Sequence, residues 1–127
     1  MPDGSAIHLE LAVTPEEISN GLMFRPKLPE DRGMLFLFSV ARVPAFWMKN
    51  TLIPLDLVFL NGAGTVVDLI PDVQPCPAEP CPQYVPDHPA RAVLELAAGV
   101  AAQHHLAVGD TIRFEHVEGY PLEHPAS

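Results

Sequence analysis

Leu57-Val58-Phe59-Leu60-Asn61-Gly62-Ala63-Gly64-Thr65-Val66-Val67-Asp68-Leu69-Ile70 is the stretch from which the fold is read. Two runs rich in β-branched and aromatic residues flank four residues of Asn, Gly and Ala. Val, Ile and Phe favour extended backbone, whereas Asn and Gly tolerate the positive φ of a tight reversal. The stretch therefore predicts a β-hairpin.

Upstream of the hairpin, Met34 to Phe38 is a short continuous apolar run, the pattern of a strand buried on both faces. Val43 to Met48 predicts another strand, with Pro44 at its edge or start, where a missing N–H is tolerated. Ile7 to Val13 alternates, with Ile7, Leu9, Leu11 and Val13 on one face and His8, Glu10 and Ala12 on the other. Thr14-Pro15-Glu16-Glu17 then opens a helix: Thr14 caps it, Pro15 takes the first position, and the two glutamates favour the positive helix end. Ile18, Leu22 and Met23 supply its buried stripe, Gly21 keeps it short, and residues 24–33 read as a connecting loop. Downstream, Pro71 to Pro89 is a long irregular loop, Ala92 to Leu96 a strand, and Ala98 to His105 a short helix. Gly109-Asp110 turns into a last strand, Thr111 to Phe114.

Six or seven short strands against two short helices give an α+β, mainly β class. The expected architecture is an antiparallel or mixed sheet curled into a barrel, with the helices covering its ends. The length fits a single domain, with a compact part over about residues 6–116 and a frayed tail over 118–127.

The chain has 127 residues, 48% of them hydrophobic, which is enough to build a core without metal or covalent staples. Its formal charge is −9, from 7 Lys+Arg against 16 Asp+Glu, and the cations are scattered rather than gathered into a stripe. Phosphate backbones and anionic membrane surfaces repel such a chain, so nucleic acid is not an expected partner. The longest strongly apolar run, Met34–Phe38, falls far short of the roughly 20 residues of a membrane helix, so no membrane span is expected in this chain. Met1-Pro2-Asp3-Gly4 lacks the basic start and apolar stretch of a signal peptide, though a chain beginning after a removed leader would look the same.

Two cysteines occur, in Cys76-Pro77-Ala78-Glu79-Pro80-Cys81. A local disulfide would pin a proline-rich loop and imply an oxidising compartment. Two free thiols and a zinc site are the competing readings. Zinc is the weakest, because no second Cys/His pair stands at finger spacing.

Several segments carry a family pattern: Gly21-Leu22-Met23-Phe24-Arg25, Asp31-Arg32-Gly33-Met34-Leu35-Phe36, Phe46-Trp47-Met48-Lys49-Asn50-Thr51, Pro54-Leu55-Asp56, Leu94-Glu95-Leu96-Ala97-Ala98-Gly99 and Gly109-Asp110. In this order and spacing, from about Ile7 to Phe114, the chain closely resembles the family known as domain of unknown function 192. The resemblance implies a small single-domain protein of bacterial or archaeal type, from a family many of whose members carry export or lipoprotein leaders. Periplasmic or cell-surface residence is therefore expected, with the cytoplasm as the alternative, and this agrees with the disulfide reading. The resemblance supplies no reaction and no catalytic residue, and the cysteine pair and the histidines are not part of its pattern.

Phe46 to Thr51 is the most distinctive of these strings. Strand alternation sends Phe46, Met48 and Asn50 to one side and Trp47, Lys49 and Thr51 to the other. Trp47 and Lys49 then project together, and an aromatic face beside an ammonium suits a ligand with an apolar ring and an anion. With Asn50, and with Arg25 and Asp56 as neighbours, they form the candidate binding site. The competing reading packs Trp47 in the core and pairs Lys49 with Asp56 or another carboxylate.

Asp56, Asp68 and Glu95 lie in or beside apolar strands, where carboxylates are rare unless paired or functional. Two of them across a cleft would suit a hydrolase. Met23, Met34 and Met48 are of the type that binds Cu(I), although methionine is far more often core filler. His104-His105, with His116 and His124, are poor candidates for metal, since adjacent helical residues point about 100° apart. No Gly-x-Ser-x-Gly, His-Glu-x-x-His or phosphate-cradling loop is present, so no catalytic residue, metal ligand or cofactor is assigned. The expected function is a module binding an unknown small molecule or an envelope protein. A carboxylate-pair hydrolase and a purely structural domain are the alternatives.

Overall fold

The Asn-Gly turn closes the expected hairpin. Asn61 Oδ1 accepts hydrogen bonds from the backbone N–H groups of Ala63 and Thr65 at 2.9 and 3.0 Å. Gly64 adopts φ 82°, and a side chain there would also meet the Ile112 carbonyl oxygen at 2.9 Å. In this computed structural model, which describes residues 1–117 and 120, the elements are β1 (His8–Ala12), α1 (Pro15–Asn20), β2 (Arg32–Arg42), β3 (Phe46–Trp47), β4 (Leu55–Leu60), β5 (Val66–Val73), β6 (Gln83–Tyr84), β7 (Ala90–Ala97) and α2 (Val100–Gln103).

The main sheet is mixed and five-stranded, in the order β1-β2-β7-β4-β5. β1 runs parallel to β2, and the other neighbours are antiparallel. β3 and β6 form a separate two-stranded ribbon. Both faces of the main sheet are covered, which is why β4 is buried along its whole length and β2 reads as an apolar run. The first face carries Met34, Phe36, Leu57, Phe59 and Val93, under Leu22, Phe46, Met48 and Tyr84. The second carries Leu35, Val58, Leu60, Leu94 and Leu96, under Val100, Ala101, Leu106 and Ile112.

The helix start is the one its residues dictate. Thr14 Oγ1 accepts from the Glu17 N–H at 3.1 Å, and the Glu17 carboxylate accepts from the Thr14 N–H at 3.0 Å, a complete capping box. Helix α1 stops at Gly21, whose φ is 48°.

The sheet does not close into the expected barrel: β1 and β5 remain its edges. The predicted last strand, Thr111 to Phe114, is reduced to a single bridge between Thr65 and Thr111. Residues 109–112 instead follow the start of β5 as an irregular segment, with Val66 N–H donating to the Asp110 carbonyl and Ile112 N–H to that of Gly64. With no strand there to join the two edges, the sheet stays open. The predicted strand from Val43 to Met48 shrinks to Phe46–Trp47, bounded by Pro44 and by Asn50, whose φ is 60°. The predicted helix from Ala98 to His105 is only Val100–Gln103, bounded by Gly99 at φ 92° and His105 at φ 54°. Leu11 and Val13 of the first predicted strand are exposed, and Ala12 is buried in their place. The tail expected over 118–127 lies outside the described residues, Tyr120 apart.

Cys76 and Cys81 form a disulfide, with Cα atoms 5.7 Å apart, in place of the free-thiol and zinc readings. Replacing both with Ser is expected to lower stability by about 2 kcal/mol through the loop entropy returned to the unfolded chain. The measurement is the urea midpoint against wild type under oxidising conditions, with the slope of the transition little changed. Among the described residues, no helix is long and apolar enough to cross a membrane.

Candidate functional site

A cleft of about 470 Å³ opens on the first face of the sheet, within the range of small-molecule sites. Phe36, Phe38 and Glu95 form its floor. Residues 18–23, from α1 and its exit, residues 42–47 and Thr51 make up the rest of its lining.

Glu95 is placed there by strand register. It lies opposite Met34 on β2 and Leu57 on β4, so it shares their face of the sheet. It is 6% exposed. Burial pushes its carboxyl from the ordinary 4.5 up to about 8, with no charge or hydrogen bond opposing the shift. At neutral pH the group is therefore a neutral acid, able to donate a hydrogen bond into the cleft. Gly21 passes directly above it. A Cβ there would sit 3.2 Å from the Phe36 ring and 3.8 Å from Glu95 Oε1, so a larger residue would crowd the floor.

Trp47 is 44% exposed and lines the cleft. Phe46 beside it meets Phe36 edge-to-face at 5.4 Å and Phe59 at 6.1 Å. Arg42, exposed at the mouth, stacks 4.0 Å from the centroid of Phe38.

Of the five residues expected to form the site, the structure brings Trp47 and Lys49 together and engages Arg25 and Asp56 elsewhere. Lys49 does project with Trp47, its Nζ 5.4 Å from the indole centroid, but its ion-pair partner is Glu79 of the disulfide loop rather than Asp56. Asn50 is exposed, and its carbonyl accepts from the Phe24 N–H at 2.7 Å. Its positive φ breaks the alternation, so Thr51 is buried against the cleft instead of sharing the side of Lys49. Arg25 is tied to Glu10 by two contacts, the second with Nη2 to Oε1 at 2.8 Å. Asp56 is wholly buried. Its Oδ1 accepts from Asp72 N–H at 2.9 Å, and its Oδ2 accepts from Gly99 and Ala101 N–H at 3.1 and 2.9 Å.

No pair among Asp56, Asp68 and Glu95 faces one cleft. Asp56 lies opposite Leu96 and so on the second face, away from Glu95. Asp68, on edge strand β5, accepts from the backbone N–H groups of Leu69 and Asp87 and does not line the cleft. Met34 and Met48 are core residues of the first face, and Met23 lines the cleft. His104 Nδ1 lies 2.6 Å from Asp3 Oδ2. The Ser5 backbone N–H, and then His104, hold the Asp3 carboxyl down at about 2. His124 lies outside the described residues. Among the described residues no group of three His, Cys, Asp or Glu gathers to hold a metal ion.

Sequence reasoning missed Arg42, Ser19, Asn20 and Thr51 as cleft residues and weighed Glu95 only as half of a pair. The signal for Glu95 was available: it is the one polar residue in Ala92-Val93-Leu94-Glu95-Leu96. Nothing in the sequence marks Arg42. Four of the motif segments quoted above converge on the cleft, contributing Gly21 to Met23, Phe36, Phe46 with Trp47 and Thr51, and Glu95.

A family model described as "Uncharacterized ACR" matches residues 1–114. Two crystal structures share the fold. A Novosphingobium aromaticivorans protein of unknown function is 34% identical, with a TM-score of 0.79 over 85% of this chain and 75% of that one. A Sinorhizobium meliloti protein, provisionally described as a transcription regulator, is 37% identical, with a TM-score of 0.73 over 81% of this chain and 78% of that one. A search of curated proteins finds no match. With its motifs in order and nearly the whole chain matched, the protein belongs to the family of domain of unknown function 192.

Proposed function

We propose that this protein is a small-molecule-binding module whose site is the cleft above Glu95. The observation that carries the reading is a buried carboxyl group, opposed by no charge or hydrogen bond, that opens into a cleft flanked by the half-exposed Trp47. Among the described residues no enclosed side-chain polar atom lacks a partner, so the Glu95 oxygens reach the space of the cleft, where a ligand can pair with them. The lining mixes aromatic and aliphatic side chains with Ser19, Asn20, Arg42, Thr51 and Glu95, so polar groups are at hand to orient a ligand. The Cys76–Cys81 disulfide supports residence in an oxidising compartment, such as the cell envelope. Direct action on DNA, the role suggested by the description of the S. meliloti relative, is disfavoured by a net charge of −9 with no basic stripe.

Trp47 is the single tryptophan, so its emission reports on this cleft alone. In a screen of sugars, nucleotides, amino acids, amines and short peptides, compounds that raise the melting temperature should also shift Trp47 emission. Their effect should disappear in Trp47→Ala. A ligand at a hundredfold excess over its Kd adds about 2.7 kcal/mol, a readily measured shift. Hits that stabilise Trp47→Ala as much as wild type, and leave the emission unchanged, would contradict the proposal.

A further inference from the structure

The cleft also constrains the charge of its ligand, an inference that rests on the binding reading above. Glu95 is the one carboxylate among the described residues that line it. The positions opposite Glu95 hold Met34 and Leu57, so an apolar residue would suit the fold there. Phe36, Phe38, Phe46 and Trp47 line the same space, and aromatic faces attract cations. Two of these rings already do so: Arg42 lies over Phe38 and Lys49 over Trp47. The net charge of −9 draws cations toward the surface.

We propose that the cleft takes a small organic cation, its ammonium group meeting the Glu95 carboxylate and its apolar part lying against Trp47 and Phe36. On binding, the carboxyl proton leaves to solvent, and an ion pair replaces the neutral acid. The charged groups around Glu95 are few. Residues 18–23 contribute no titratable side chain, β3 contributes Phe46 and Trp47, and β4 faces it with Leu57. From β2, Met34 and Phe36 are neutral, and Arg42 is exposed at the mouth over Phe38, where solvent screens it. Release of one proton makes the affinity rise about tenfold per pH unit below the titration of Glu95.

The test uses three probes with one ring and three charges: 2-phenylethylammonium, 2-phenylethanol and phenylacetate, each titrated against Trp47 emission. The ammonium should bind saturably at pH 7, about tenfold more tightly than at pH 6, with the alcohol and the acid at least about tenfold weaker. Glu95→Gln, a near-isosteric change whose folding is checked by its melting temperature, should erase both the preference for the ammonium and its pH dependence. The wild-type pH series needs no variant. If the alcohol or the acid binds as tightly as the ammonium, or Glu95→Gln leaves the ammonium affinity unchanged, the cation proposal is overturned and the cleft reading stands. If none of the three perturbs Trp47, the cation proposal is overturned, and the wider screen decides the cleft reading separately.

Discussion

Replacing Asp56 with Ala is expected to lower stability by about 3–5 kcal/mol, against the 5–15 kcal/mol that holds a typical domain together. Three backbone N–H groups converge on this one buried carboxylate. Two of them, from Gly99 and Ala101, belong to the start of α2, which has no side-chain cap of its own. Asp56 therefore caps that helix from the neighbouring strand. The third, from Asp72, belongs to a bulge: β5 places three steps, Val73 to Ile70, against two on β4, Leu55 to Leu57. Asp72 adopts φ 51° there, and its N–H turns inward to Oδ1. Alanine would leave the Ala101 donor buried and unpaired and would take the partner from the part-buried donors of Asp72 and Gly99. Asn is expected to rescue only in part, because one end of its amide carries hydrogens and would face a donor in either orientation. Urea unfolding of the two variants measures both effects, and a loss below about 1 kcal/mol for Asp56→Ala would show that the carboxylate is not the anchor described.

The second large effect concerns pH. The folded Glu95 carboxyl titrates near 8, against an ordinary 4.5. Between those values the folded chain holds a proton that the unfolded chain has released, so stability falls as pH rises through that window and levels off above it. The expected loss from pH 5 to pH 8 is roughly 3–5 kcal/mol. Asp3, Glu10 and Glu17 work in the opposite sense, since their folded carboxyls are held low. Their contributions are lost on acidification below the unfolded carboxylate range, so the two windows do not overlap. Glu95→Gln should flatten the profile between pH 5 and 8 and be more stable than wild type at pH 9. A wild-type profile already flat across that range would mean that Glu95 is ionised in the fold.

Much of the fold was legible because it is written in local chemistry. Asn61 and Gly64 announce the hairpin, Thr14 and Glu17 the helix start, and the apolar run Met34 to Phe38 a strand covered on both faces. What was not legible depends on pairing between distant segments. Thr111 to Phe114 has strand-forming residues, but the chain beside Gly64 takes an irregular path, and so the barrel fails to close. The role of Asp56 is set by donors 16, 43 and 45 residues away. Alternation paired Trp47 with Lys49 correctly and then failed at Asn50, whose positive φ sends Thr51 to the cleft. Glu95 stood out as a carboxylate in an apolar strand. That it faces away from Asp56 follows only from the register of β7 against β4.

The central claim is that ligands enter the cleft between Trp47 and Glu95. Amide chemical-shift mapping of the uniformly labelled protein, with 2-phenylethylammonium, 2-phenylethanol and phenylacetate added in turn, tests it without prior choice of charge. The account predicts that saturable shifts from at least one probe cluster on the amides of residues 19–23, Phe36, Phe46, Trp47, Thr51 and Glu95. Saturable shifts confined to other surfaces, such as the groove between Ile7 to Leu11 and Ile112 to Val117, would contradict it.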